Sequence, residues 1–178
     1  MSRILHVYLV DLAELEAVVG SKDDGLLNQV LAGGRLSVTF QISDQEGHIE
    51  RNKDSLRTIF AGGPFDEDSA EHYVEALELI CRQLGPYVGD VNFRFGNGSL
   101  PSVIEDLATA MTGKAPFPMT EWNGWGFMSK KACAKEVRQY ERRVAKDPDY
   151  LNGYGEPIAD WLRESKTAKK DLIGFWGG

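Results

Sequence analysis

The chain has 178 residues, of which 42% are hydrophobic and 26% charged, the composition of an ordinary globular protein of one domain. Its net charge of −7 is uneven, because residues 1–100 carry 8 Lys/Arg against 16 Asp/Glu, whereas residues 101–178 carry 12 against 11. Nucleic-acid affinity comes largely from Lys and Arg that displace counterions from phosphates, so this balance disfavours a nucleic-acid partner. Two cysteines, Cys81 and Cys133, are too few for a disulfide scaffold and lack CxxC spacing, which predicts buried free thiols.

The first apolar run, at residues 4–10, alternates and is rich in β-branched and aromatic residues, which predicts a strand. It is too short for a membrane span and lacks a cleavage site, so we expect a cytoplasmic protein without a membrane partner. Asp11 then caps a short helix that ends at Gly20, and residues 22–31 predict a second one.

The middle of the chain contains the clearest helix, at residues 66–84. Before it we predict a strand at 36–42, a polar loop at 43–52 and a short helix at 54–60 that ends at a Gly-Gly-Pro sequence. The 66–84 segment has one inward apolar stripe, made of Tyr73, Leu77, Ile80, Cys81 and Leu84. Its outward side carries four carboxylates, called here the acidic face: Asp68, Glu71, Glu75 and Glu78.

The second half predicts a strand at 91–95, a helix capped by Ser102, and an aromatic loop before a basic helix at 129–146. The outward side of that helix is called here the basic face, and it consists of Lys131, Lys135, Arg138 and Arg142, continued by Lys146. A last helix opens at Pro157, and the segment DLIGFW at 171–176 predicts a strand. We therefore expect an α+β fold in a single domain, residues 1–178, with one mixed or antiparallel sheet that includes both terminal strands and packs against several amphipathic helices.

Two groups of motifs resemble a known family. One is the run Gly62-Gly63-Pro64-Phe65-Asp66 followed by Tyr73, the segment ALE and the pair IC, and the other is the closing DLIGFW. With these motifs the chain is similar to an uncharacterised bacterial family common in actinomycetes, and more distantly it resembles the YfbM-like proteins. The resemblance implies a bacterial, single-domain, cytoplasmic protein and brings no catalytic residues.

The two charged faces are the first candidate sites. A helix on a protein surface must expose polar residues, so each face can be simply solvated. The alternative is that they dock other proteins: the basic face an acidic partner, and the acidic face a basic partner or a second copy of the chain.

The aromatic loop at residues 117–127 is the second candidate. Trp122, Asn123, Trp125 and Phe127 are interleaved with prolines and glycines, a combination suited to a binding rim. Asp66, Asp68 and His72 would be the polar groups of a pocket beneath it. The alternative is that these rings are buried in the core.

Catalytic patterns are weak. His72 follows Asp68 by one helical turn, so the two could pair, but a lone carboxylate–histidine pair is often structural. The Gly96–Ser99 turn matches neither the P-loop nor the dinucleotide fingerprint, and no nucleophile elbow is present. We therefore predict no cofactor and no metal site. The leading hypothesis is a non-enzymatic protein-binding domain, of toxin-neutralising (immunity) or regulatory type; the alternative is a small-molecule-binding protein or enzyme with its pocket under the 122–127 loop.

Overall fold

The computed structural model describes residues 2–33, 47–94, 125–147 and 155–177. Its strands are β1 (Ser2–Val10), β2 (Tyr87–Arg94), β3 (Trp125–Met128) and β4 (Asp171–Gly177). Its helices are α1 (Leu12–Val18), α2 (Asp24–Ala32), α3 (His48–Ala61), α4 (Ala70–Leu84), α5 (Lys130–Lys146) and α6 (Gly155–Ala168), with a 3₁₀ turn at Glu67–Ser69 before α4. Across these four ranges, no helix is both long enough and apolar enough to cross a bilayer.

The four strands form one sheet in the order β2-β1-β4-β3, and every neighbouring pair is antiparallel. The first and last strands therefore pair with each other at its centre, where Val7 lies opposite Gly174. This confirms the predicted α+β class and the prediction that both terminal strands share one sheet.

The sheet is the middle of three layers. Successive side chains of a strand point to opposite faces, and β1 uses both of them. Tyr8 and Val10 pack in a cluster with α1–α4, whereas Leu5, Val7 and Leu9 pack in a second cluster with α5 and α6. Each helical layer thus has its own apolar core against the same central strand.

Asp171, at the start of β4, links the two helical layers. It is 6% exposed, and its two carboxylate oxygens accept hydrogen bonds from the backbone N–H of Leu12 (2.8 Å) and of Lys130 (2.7 Å). These are the first residues of α1 and α5, where backbone N–H groups lack partners within the helix and the helix dipole favours a negative charge. One carboxylate therefore fixes the starts of both helices relative to the central strands.

The paired glycines of the family motif have a structural role at the end of α3. Gly62 ends the helix with φ +84°, a left-handed conformation that favours glycine. A Cβ added to Gly62 would also lie 3.1 Å from the Cα of Gly20, so the close approach of the backbones after α1 and α3 favours glycine at position 62.

Three predicted boundaries were wrong. Helix α3 begins at His48, because the polar residues expected to form a loop line its seam with α4. Strand β2 begins at Tyr87 rather than at residue 91, since it pairs with β1 immediately after the turn at Pro86. Residues 125–128, expected within the aromatic loop, form the edge strand β3. The predicted strand at 36–42, the helix at Ser102, and Trp122 and Asn123 lie outside the described residues.

Candidate functional site

Helix α5 presents the basic face to solvent, as predicted. Its inward residues Cys133, Val137 and Tyr140 are 0%, 1% and 5% exposed. All the cations of the opposite side are exposed: Lys131, Lys135, Arg138, Arg142 and Lys146. Ser129 caps the helix by accepting a hydrogen bond from the N–H of Ala132.

The cations of the basic face differ from most other described surface cations in forming no ion pair with a described carboxylate. Arg57 and Arg163 each lie 2.7 Å from an aspartate three residues earlier, and Lys53 lies 2.5 Å from Glu50. No such ion pair is formed by Lys131, Lys135, Arg138 or Arg142 with any carboxylate in the described part of the chain. Glu136 and Glu141 on the same helix offset only part of the seven positive charges of α5, so this helix keeps a net positive charge.

The C-terminal half of the basic face borders a shallow depression. Its volume is about 460 Å³, and its lining includes Lys135, Arg138, Gln139, Arg142 and Arg143. Guanidinium groups bind carboxylates through two parallel N–H···O bonds, which makes such a lining suited to an anionic surface.

The acidic face does not exist as predicted. Asp68 and Glu71 are exposed, Glu75 is half-buried, and Glu78 is only 4% exposed. The prediction that Glu78 points outward is wrong, because α4 packs against both α3 and β1 and its charged stripe runs into that packing.

Glu78 is the centre of a buried polar network between α4 and β1. Its Oε1 accepts a hydrogen bond from the Tyr8 hydroxyl (2.8 Å) and lies 2.9 Å from Nδ1 of His6, which must carry the proton of that bond. Arg82 donates from Nε to the Tyr8 oxygen (3.1 Å), and its Nη2 lies 3.8 Å from Glu78 Oε1. Burial, followed by the charge of Glu78, raises the pKa of Tyr8 well above its usual value, so the phenol stays a donor.

Glu75 forms a second network, between α4 and α3. Its Oε2 accepts a hydrogen bond from Asn52 Nδ2 (2.6 Å) and lies 2.9 Å from His48 Nε2. Nδ1 of His72 lies 3.1 Å from Asn52 Oδ1. His72 is 5% exposed and burial lowers its pKa, so it is a packed residue whose hydrogen-bond partner is Asn52 rather than Asp68.

The residues predicted to bind a ligand do not share one environment. Asp66 is exposed, and its carboxylate accepts hydrogen bonds from the Asp68 N–H and the Ser69 hydroxyl, which shapes the turn before α4. Trp125 is 8% exposed and its ring stacks on Phe175 with centroids 6.4 Å apart, so here the alternative of a buried ring is correct. Of the described members of the set, His72 lies in the α3–α4 seam, Asp66 in a turn and Trp125 in the sheet.

Sequence reasoning missed His6 and Tyr8 as partners of Glu78. A signal was present, since alternation along β1 places both residues on one face, and a buried tyrosine hydroxyl requires a hydrogen-bond partner. His6, Tyr8 and Glu78 are buried and bonded to one another, and Arg82 reaches them from the surface, which is the arrangement of a structural network. Within the described ranges, no group of three or more His, Cys, Asp and Glu side chains could hold a metal ion.

Of the two predicted charged faces, the basic face of α5 is exposed as a whole, whereas the acidic one is partly buried. No curated protein and no solved structure matches the chain. A family model described as a domain of unknown function, DUF7691, matches residues 1–177. The predicted similarity to an uncharacterised family is confirmed at that level: the chain belongs to the DUF7691 family.

Proposed function

We propose that this protein is a non-enzymatic protein-binding domain that docks an acidic partner protein through the basic face of α5. The observation that carries the proposal is the set of four exposed cations that form no ion pair with a described carboxylate, on a helix that is net positive in a chain whose net charge is −7. An acidic protein that concentrates positive charge on one helix has a local field opposite in sign to its overall field.

The length of the basic face defines the length of the acidic surface that a partner must offer. Lys131 and Arg142 are 11 positions apart, which corresponds to about 17 Å along a helix at about 1.5 Å per residue. Complementary charges over such a distance speed the encounter of two proteins and fix their register.

A partner protein is favoured over nucleic acid because the positive charge of α5 belongs to a chain whose net charge is −7. The remainder of the chain is strongly acidic and would repel a phosphate backbone that extends beyond α5. A folded acidic partner can contact the basic face with one of its surfaces and need not extend along the rest of this chain.

The proposed role is that of an immunity-type or regulatory protein in the cytoplasm of an actinomycete-type bacterium, with YfbM-like proteins as more distant relatives. The motifs around Gly62 and at 171–176 support this setting. The alternative of a small-molecule pocket under the 122–127 loop loses support, since Trp125 packs in the sheet rather than at a rim.

The test compares two variants in which four cations become glutamine. The first changes Lys131, Lys135, Arg138 and Arg142; the control changes Arg57, Arg163, Lys166 and Lys169, which are exposed elsewhere. Affinity for a polyglutamate peptide is measured by fluorescence anisotropy at several salt concentrations, with duplex DNA as the competing probe. We expect the first variant to bind about tenfold more weakly or worse, and the control to stay within about twofold of the parent.

Equal losses in both variants would overturn the proposal, because net charge alone would then explain binding. Tighter binding of DNA than of polyglutamate at the same salt would replace it with a nucleic-acid function. Once the peptide result is known, partners captured from a bacterial lysate by the parent but not by the first variant would identify the natural partner.

A further inference from the structure

The hydrogen bonds between α3 and α4 fix the positions of the protons on two histidines. A carboxylate only accepts, so His48 Nε2 and Asn52 Nδ2 must both donate to Glu75. Asn52 then turns its oxygen to His72, whose Nδ1 must be the donor. Each neutral ring therefore uses its one proton in this chain, and a second proton would go to His48 Nδ1 or His72 Nε2.

The two rings are also in contact. Their centroids are 5.1 Å apart in an edge-to-face arrangement, at the point where α3 begins. A positive charge on one ring therefore disfavours a positive charge on the other, at a contact that joins α3 to α4.

The charged groups around His72 have opposing effects on the protonation of its ring. On α4, Glu71 (Oε1 4.0 Å from His72 Nε2) and Glu75 favour the protonated ring, whereas on α3 His48 and Arg51 oppose it. Burial has the largest effect and, with His48, lowers the pKa of His72. The folded protein thus binds a proton at His72 less readily than the unfolded chain does.

We propose that the His48–His72 contact is a pH-sensitive latch that holds the first turns of α3 on α4 near neutral pH and releases them on acidification. The inference does not depend on the proposed function. The stabilisation from neutral His72 is complete above its unfolded value of 6.5 and is lost as the pH falls towards the lower pKa of the folded state. Leu56, Ile59 and Phe60 are buried in the core, so the release is expected to be local to the start of the helix.

Hydrogen exchange measured by mass spectrometry tests the latch on the intact chain. Exchange in residues 48–53 is compared at pH 7.5 and pH 5.5, after correction for the intrinsic rate, with α6 as the internal reference. One titrating group can change the opening equilibrium by up to about tenfold at one unit below its unfolded pKa. We expect the protection of the amides at the start of α3 to be several-fold lower at pH 5.5 than at pH 7.5, with α6 unchanged. Equal protection of α3 at the two pH values would overturn the proposal.

Two variants assign the effect. The amide of His72→Asn can still donate to Asn52 but cannot titrate, so the pH dependence of α3 should disappear. His6→Gln removes a histidine from the network around Glu78 and should leave the pH dependence of α3 unchanged. Retention of the pH dependence in His72→Asn would also overturn the proposal. Should that variant fail to fold, an NMR titration of the parent decides, since a His72 that titrates at or above 6.5 contradicts the latch.

Discussion

Helices α4 and α5 carry the same kind of sequence pattern and use it in opposite ways. Each has an apolar side that includes one buried cysteine, Cys81 or Cys133, and each has charged residues at intervals of three and four on the other side. In α5 the charged residues stay in solvent. In α4 the stripe starts in solvent at Glu71 and ends buried at Glu78.

The difference arises from the neighbouring elements rather than from the helices themselves. Helix α4 contacts β1 and three other helices, and two of these neighbours supply polar partners: His6 and Tyr8 from β1, His48 and Asn52 from α3. Helix α5 contacts α6 and β4 through its apolar side. A charged stripe therefore indicates a surface only where no adjacent layer offers donors and acceptors to receive it.

The largest expected effect comes from removal of the buried end of the α4 stripe. Glu78→Ala leaves His6 and Tyr8 without their shared acceptor and Arg82 without the carboxylate beside it, and it should lower the free energy of unfolding by about 3–5 kcal/mol. Glu71→Ala, on the same stripe with a side chain 83% exposed, should change it by less than about 0.5 kcal/mol. Urea denaturation of both variants checks the contrast, and similar losses in the two would refute it.

An intermediate effect is expected at the carboxylate that positions α5. In Asp171→Asn only one side-chain oxygen remains to accept from two backbone N–H groups, and the new NH₂ group faces the second N–H. This change should lower the free energy of unfolding by about 2 kcal/mol. The matched change Asp160→Asn, at a side chain 63% exposed, should have almost no effect on thermal unfolding. An Asp171→Asn protein as stable as the parent would mean that α5 keeps its position without this carboxylate.

The smallest effect on stability is expected from the basic face itself. Conversion of Lys131, Lys135, Arg138 and Arg142 to glutamine removes no ion pair with a described residue. The free energy of unfolding should therefore change by less than about 1 kcal/mol. This result, measured by urea denaturation, would separate a docking surface from a structural one. A loss above about 2 kcal/mol would show instead that these side chains contribute to packing.

Much of the fold was predictable because its signals are local. Alternation identified the first strand, the apolar segment at 171–176 indicated the last one, and helical periodicity identified the inward sides of α4 and α5. Asp11 and Ser129 cap α1 and α5 through side-chain bonds, as their positions indicated. Cys81 and Cys133 are both buried, as expected for free thiols on apolar faces.

The remaining features depend on contacts between distant parts of the chain. The burial of Glu78 requires His6, which is 72 positions away, and the helical start of α3 requires Glu75 to receive His48 and Asn52. Strand β3 forms because β4 offers it an edge, although its glycine and aromatic residues are typical of a loop. Periodicity within one segment contains no information about such partners.

The pairing of β1 with β4 has a consequence for how the chain folds. Ile4 lies opposite Gly177, so the central pairing of the sheet closes a loop of nearly the whole sequence. During synthesis β1 can pair with β2, but the other half of the sheet must wait until residues 171–177 leave the ribosome. Until then the side chains of β1 have only part of their final surroundings. Loss of this short final strand would therefore remove the centre of the sheet rather than an edge.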